Sequence, residues 1–131
     1  RFWITLEQGV EFVLSSLAMM SGGEVFVPKI PSMKVVDVAH ALAPDMPHEM
    51  VGIRPGEKLH ETMITLDDAR KTLELPDRYI IEPSFTFWSN EHLVGNGALS
   101  VDAEFQYASN LNDDWLDRDS FLELLAASGL S

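Results

Sequence analysis

Residues 5–28 read TLEQGVEFVLSSLAMMSGGEVFVP, and this stretch decides the fold class. Leu6, Val10, Val13, Leu14 and Leu17 recur at helical spacing, while Glu7, Glu11 and Ser15 fall on the other side and Thr5 offers an N-cap. The spacing predicts an amphipathic helix that stops at Gly22 and Gly23, the residues that most readily leave helical dihedrals. The period then changes. Glu24 to Val27 (EVFV) is short and β-prone, bounded by the glycines and by Pro28, and predicts a strand. Helix and strand in such close succession indicate an α/β or α+β chain.

Further along, Pro28 and Pro31 hold an extended loop, and residues 35–42 (VVDVAHAL) predict a helix stopped by Pro44. Residues 50–53 predict a second short strand, ending at Arg54-Pro55-Gly56, where proline fixes one dihedral and glycine frees the next. Helical character is expected over 57–63 and a short helix over 67–75. Strands are expected at 79–81 and, with looser alternation, at 84–88. Residues 90–112 show little periodicity beyond a Gly95-Asn96-Gly97 turn and read as a surface excursion. Ser120-Phe121-Leu122-Glu123 has the capping-box pattern and predicts a closing helix to Ala126.

The 131 residues suit one domain or a piece of one rather than two independent cores. Hydrophobic residues at 46% and charged residues at 23% are globular values, so enough apolar side chain is present to offset the entropy of ordering the chain. There is no cysteine, which removes disulfide scaffolds and thiolate metal sites from consideration. No apolar run is long enough for a membrane span and no leader pattern opens the chain, so a cytoplasmic location is expected. The net charge of −12, from 21 acidic and 9 basic residues, disfavours nucleic-acid and membrane partners. A small anion needs only a few local cations. Arg1, Lys29, Lys34, Arg54 and Lys58 lie in the first half, whereas the last 50 residues hold only Arg118, so an anion site is expected from the first half. The chain opens on Arg1 followed by apolar Phe2-Trp3-Ile4, which predicts a fragment with an exposed apolar face around Phe2, Trp3 and the helix of Val10 and Leu14.

Several chemistries lack their motifs. The chain has no Gly-x-Gly-x-x-Gly, no P-loop, no Tyr-x-x-x-Lys and no Gly-x-Ser-x-Gly, so no catalytic residue is assigned. Glu57-x-x-His60 has the helical spacing of a di-iron ligand pair, but a single copy on a short segment assigns no metal. The strongest local signal is residues 52–61, GIRPGEKLHE. Arg54 offers a planar fork of donors suited to phosphate oxygens, and Glu57 an acceptor for ribose hydroxyls. A surface salt bridge in a tight loop accounts for the same residues equally well. Arg1, just before the first helix, is either a phosphate contact or a solvated charge. Trp3, Trp88 and Trp115 beside apolar runs read as core residues rather than base-stacking platforms.

Residues 1–6 (RFWITL), 27–34 (VPKIPSMK) and 52–61 (GIRPGEKLHE), in this order, closely resemble the C-terminal part of the inverting UDP-N-acetylglucosamine 4,6-dehydratases. These are extended short-chain dehydrogenase/reductase enzymes of the pseudaminic acid pathway. The likeness extends to Phe105-Gln106-Tyr107-Ala108-Ser109 and Trp115-Leu116. It implies an α/β fold in which residues 1–131 form the substrate-binding C-terminal region, with an NADP-binding Rossmann domain outside this chain. It further implies oxidation of UDP-N-acetylglucosamine at C4, loss of water across C5 and C6, and return of the hydride to C6 with inversion at C5. The product implied is a UDP-2-acetamido-2,6-dideoxy-L-arabino-hexos-4-ulose. The catalytic lysine and the Tyr-x-x-x-Lys pair of such enzymes have no counterpart here. By resemblance Arg54 and Glu57 contact the UDP moiety, Arg1 contacts phosphate, and the full-length enzyme is a homo-oligomer. Two rival readings remain: another UDP-sugar epimerase or dehydratase of the same superfamily, and a non-catalytic sugar-nucleotide-binding or scaffold module.

Overall fold

The computed structural model describes residues 1–85 and 88–129. Five helices and six strands are present among them, and the chain falls into two compact units, each drawn from separated parts of the sequence. No helix among the described residues is long and apolar enough to cross a membrane.

One unit comprises residues 7–29 and 62–107. Its sheet has the order β1-β4-β3-β5, from β1 (Val25–Pro28), β4 (Arg78–Ile81), β3 (Thr72–Glu74) and β5 (Leu99–Ser100). All three ladders are antiparallel, with Val25 opposite Ile81, Thr72 opposite Ile81 and Leu73 opposite Ser100. β1 lies at the sheet edge, where Pro28 removes a donor without breaking an inner ladder. A separate two-stranded sheet pairs β2 (Thr62–Ile64) with β6 (Tyr107–Ala108). Leu73, Leu75, Ile80, Leu93 and Ala98 form the core, with Met19, Phe26 and Trp88 packed against it. Full burial of a side chain such as Ile80 contributes about 1.5–3 kcal/mol.

The first helix, α1 (Leu6–Met19), stands where its pattern predicts. Its apolar stripe is nevertheless exposed: Leu6, Val10, Val13, Leu14 and Leu17 are 51–85% accessible, and Ser16 is the buried residue. That outcome agrees with the expectation of an apolar face on this helix. Phe2 and Trp3 depart from it, because both are half-buried and Trp3 packs into the other unit's core edge-on to Phe121. Arg78 of β4 explains which side of α1 faces inward. Its guanidinium donates to Ser16 Oγ and Ser15 Oγ, both at 2.8 Å, and stacks over the Phe12 ring at 4.7 Å.

At the end of α1 the chain turns through Gly23, whose φ of +88° suits glycine alone. A Cβ there would also lie 3.3 Å from two side-chain carbons of Pro83. Gly23→Ala is therefore expected to destabilise the protein by about 1–2 kcal/mol. Gly9→Ala, inside α1 with open space around it, is expected to stabilise by about 0.5–1 kcal/mol. Denaturation midpoints moving in opposite directions would bear this out; a neutral Gly23→Ala would refute it.

The other unit comprises residues 1–6, 30–61 and 108–131. Helix α2 (Val35–Leu42) packs Val38 and Ala41 against Phe121 of α5 (Arg118–Ala127), around the buried Met33. The segment 30–33 is its spine. Trp3 N–H donates to the Pro31 carbonyl at 2.9 Å, Ser32 N–H to the Asp114 carbonyl at 2.9 Å, and Leu116 N–H to the Ser32 carbonyl at 2.8 Å. Ser32 is wholly buried and bridges Phe2 on one side and Trp115 on the other. This accounts physically for the Ile-Pro-Ser-Met part of the 27–34 motif.

Several local expectations are corrected. Residues 50–53 are not a strand: no backbone among the described residues pairs with them, and Met50 and Val51 are 89% and 82% exposed. Residues 57–61 are loop and 62–64 are β2, so the expected helix over 57–63 does not form. The helix expected over 67–75 is only α3 (Leu66–Ala69), opened by a capping box between Thr65 and Asp68, after which the chain enters β3. The strand expected at 84–88 falls partly on residues 86 and 87, outside the described residues. The supposed excursion at 90–112 contains α4 (Glu91–Gly95), β5 and β6, and it buries Leu93, Ala98, Tyr107 and Ala108. Finally, α5 begins earlier than its Ser-x-x-Glu pattern suggests, because the Asp117 carboxylate accepts from Ser120 N–H at 2.8 Å.

Candidate functional site

Within the unit formed by residues 1–6, 30–61 and 108–131, an open cleft of about 610 Å³ lies against the 52–61 motif. That volume is within the usual range for small-molecule sites. The motif is shaped by a tight turn. Glu57 N–H donates to the Arg54 carbonyl at 3.0 Å, with Pro55 and Gly56 between them and Gly56 at φ +81°. This is the type II arrangement, in which proline suits the second position and glycine the third. The Glu57 carboxylate strengthens the turn: its Oε2 accepts from Arg54 N–H at 3.0 Å.

The cleft has a cationic side and an apolar side. Arg1, Lys34, Lys58 and His60 line it with a single carboxylate, Glu57, although the sequence carries 21 acidic residues against 9 lysines and arginines. Val35, Val36, Ile53, Leu59 and Trp115 supply the apolar wall. Three lysine or arginine residues to one acid, on a chain of charge −12, is the local inversion that an anionic ligand requires. Neither Lys34 nor Lys58 has an ion-pair partner among the described residues.

Arg1 is fixed more firmly. Its Nη1 donates to Glu61 Oε1, and its Nη2 donates to the Lys58 carbonyl at 2.6 Å. Burial pushes the Glu61 carboxyl up, but the hydrogen bond and charge of Arg1 outweigh this and hold it below the usual glutamate range. The resulting stabilisation is complete above the ordinary glutamate value and is lost as pH falls through the lowered one. Trp115 is held by its indole N–H, which donates to the Asn112 carbonyl at 2.6 Å. Asn112 in turn donates to the Ile30 carbonyl at 2.8 Å and the Asp114 carbonyl at 3.0 Å.

The three residues singled out in the sequence fare differently. Arg1 and Glu57 both line the cleft, although they are 56 positions apart. Arg54 does not line it. It stands exposed on the turn beside Ile53, and its guanidinium has no hydrogen bond or ion pair among the described residues. Lys34 and Lys58 stood only among the first-half cations expected to supply an anion site, His60 only in a pair that assigned no metal, and Trp115 read as a core residue; the fold brings all four to one cleft. Trp3 and Trp88 pack against cores as expected, whereas Trp115 is 43% exposed at the cleft wall.

An α/β architecture with a cationic cleft at a Pro-Gly turn fits the outcome of comparison with known proteins. The chain belongs to the polysaccharide biosynthesis protein family, whose pattern matches residues 1–83. Two proteins of Campylobacter jejuni, from serotypes O:2 and O:23/36, are each named UDP-N-acetylglucosamine 4,6-dehydratase (inverting). They are 47% and 45% identical to this chain over 130 residues, which is 95% of it. The chain spans 39% of the length of each of these relatives. Among solved structures, Pen from Bacillus thuringiensis matches all of this chain and 38% of its own, with a TM-score of 0.78 and 24% identity. At that identity the likeness is one of fold.

Proposed function

We propose that this chain is the UDP-sugar-binding portion of a configuration-inverting UDP-N-acetylglucosamine 4,6-dehydratase. The observation that carries the reading is the 45–47% identity over 95% of the chain to two proteins of that name. The cleft supports it with cations for a diphosphate, a carboxylate for hydroxyl groups and an apolar wall for a base.

In this reading Arg1, Lys34, Lys58 and Arg54 neutralise the diphosphate. Glu57, with one oxygen engaged by the turn, accepts from ribose through the other. The role of these residues is to bind and orient. Holding a remote UDP handle places the hexose at a defined position, and such placement is worth roughly 7 kcal/mol or more of barrier in well-oriented systems. NADP would supply hydride transfer in such an enzyme, but the residues of this chain do not fit it. The three ladders of its larger sheet are antiparallel, and among the described residues no glycine-rich turn leads from a strand into a helix to receive a pyrophosphate. In this reading the NADP site and the proton-transfer residues lie outside residues 1–131, and the full-length enzyme is cytoplasmic and homo-oligomeric. No chemical step is assigned to this chain.

The test has two arms. The full-length protein, incubated with UDP-N-acetylglucosamine and NADP, is expected to form a 4-keto, 6-deoxy product with inverted C5. Residues 1–131 alone are expected to form none. Turnover by the pure chain would overturn the division of labour, and a full-length protein that leaves UDP-N-acetylglucosamine unchanged would overturn the activity.

A further inference from the structure

Resting on the sugar-nucleotide reading of the cleft, we propose that Glu61 is the positioning residue for Arg1. It fixes the guanidinium in the orientation that meets a phosphate, without touching the ligand itself. Arg1 lines the cleft and Glu61 does not.

The guanidinium is held at two points, by the Glu61 carboxylate at Nη1 and by the Lys58 carbonyl at Nη2. Arginine has five N–H donors, so three remain for a ligand. Both ends of the ion pair stand on anchored backbone. Glu61 N–H donates to Ser109 Oγ at 3.0 Å, and its carbonyl accepts from Ser109 N–H at 2.8 Å. Arg1 is paired with Met33 by two backbone bonds of 2.9 Å. Ser109 and Met33 are each 1% exposed, so neither support shifts easily. Glu61 Oε2 is buried with no hydrogen-bond partner among the described residues, which leaves Arg1 as the cation that this carboxylate holds.

Two effects oppose each other when a phosphate arrives. The negative charge of Glu61 lowers the potential that the phosphate meets. A loose arginine, on the other hand, must surrender its rotamers on binding, and a pinned one has already done so. Lys34 and Lys58 keep the cleft cationic in the presence of Glu61, whereas no other side chain among the described residues bonds the Arg1 guanidinium. Preorganisation therefore wins, as for supporting residues behind other binding groups.

A double-mutant cycle on the full-length protein tests this, with UDP as the probe in calorimetry. Glu61→Gln is expected to weaken UDP binding about fivefold and Arg1→Ala about tenfold or more, with the double variant no weaker than Arg1→Ala. KM for the UDP-sugar should rise with Glu61→Gln by the same fivefold, and kcat should stay within about twofold, a split that loss of general stability does not produce. Should thermal melting show Glu61→Gln unfolded, Glu61→Asp, which keeps the charge on a shorter stem, is expected to weaken UDP by a smaller factor that also vanishes in the Arg1→Ala background. Unchanged or tighter UDP binding by the folded Glu61 variant, additive penalties, or a fall in kcat would overturn the proposal. Normal UDP binding by Arg1→Ala would overturn it too and leave the proposed function standing. A wild-type protein that does not bind UDP would overturn both.

Discussion

Arg78→Ala is expected to cost about 3 kcal/mol of stability and to lower the melting temperature by about 10 °C. Arg78 is 6% exposed, in β4 between two neighbouring strands. Its fork donates to Ser16 Oγ and Ser15 Oγ at 2.8 Å and to both oxygens of Asp77, at 2.6 Å for the closest contact. Hydrogen bonds from a charged donor contribute about 1.5–3 kcal/mol each when partly buried, and the cation over Phe12 adds roughly 0.5–1 kcal/mol. The pair with Asp77 adds less, because that carboxylate is 63% exposed. Alanine removes all of these together and leaves the space of the side chain open. Arg78→Lys keeps the charge but not the fork, so an intermediate loss is expected. The hydrogen bond from Arg78 holds the Asp77 carboxyl below the usual aspartate range, against the opposing effect of burial. That small contribution is complete above the ordinary aspartate value and disappears as pH falls through the lowered one. Thermal unfolding of the three proteins at neutral pH settles the matter: a melting temperature for Arg78→Ala within about 2 °C of wild type would refute the assignment.

Arg54→Ala is expected to weaken UDP binding by the full-length protein about ten- to a hundredfold, with Arg54→Lys recovering part of it. Arg54 is exposed and unpaired among the described residues, so no internal partner competes for its donors. Its backbone is fixed at both ends of the turn, by the Glu57 carboxylate on its N–H and by Glu57 N–H on its carbonyl, both at 3.0 Å. The side chain thus springs from a rigid base beside Ile53 and Glu57, two residues of the cleft wall. Lysine brings a point charge to the same place without the two-pronged geometry that grips a pair of phosphate oxygens. The chemical steps should be spared, since Arg54 moves no proton, and kcat at saturating UDP-sugar is expected to stay near wild type. Calorimetry with UDP on wild type and both variants decides it. Equal affinity in all three would leave Arg54 as a turn residue and limit the phosphate contacts to the cleft-lining cations.

Residues with strong local signals were legible in the sequence. Helical period and a glycine stop defined α1, apolar spacing and Pro44 defined α2, and the strands expected at 24–27 and 79–81 became β1 and β4, each shifted or extended by one residue. The turn at 54–57 was also legible, because proline and glycine act through their own dihedrals and need no partner. Arg54, Glu57 and Arg1 were chosen from donor and acceptor chemistry plus a family resemblance, and that choice named two of the residues that line the cleft.

Tertiary structure alone decided the rest. A strand exists only if another backbone meets it, so β-prone residues 50–53 stayed loop while Thr62–Ile64 and Tyr107–Ala108 found each other. The inward side of α1 went to Ser16 and Phe12 and not to the leucines, because Arg78, some sixty positions away, reaches them. Lys34, Lys58, His60 and Trp115 converge with Arg1 for a similar reason: the spine 30–33 pairs the chain's first residues with residues 114–116 and brings distant side chains to one wall. The Arg1–Glu61 pair has no sequence signature at all. Its partners are 60 positions apart, and only the backbone bonds of each to Met33 and Ser109 set them within reach. Local dihedral preference and side-chain chemistry were carried by the sequence; pairing across distance, and with it the cleft, was carried by the fold.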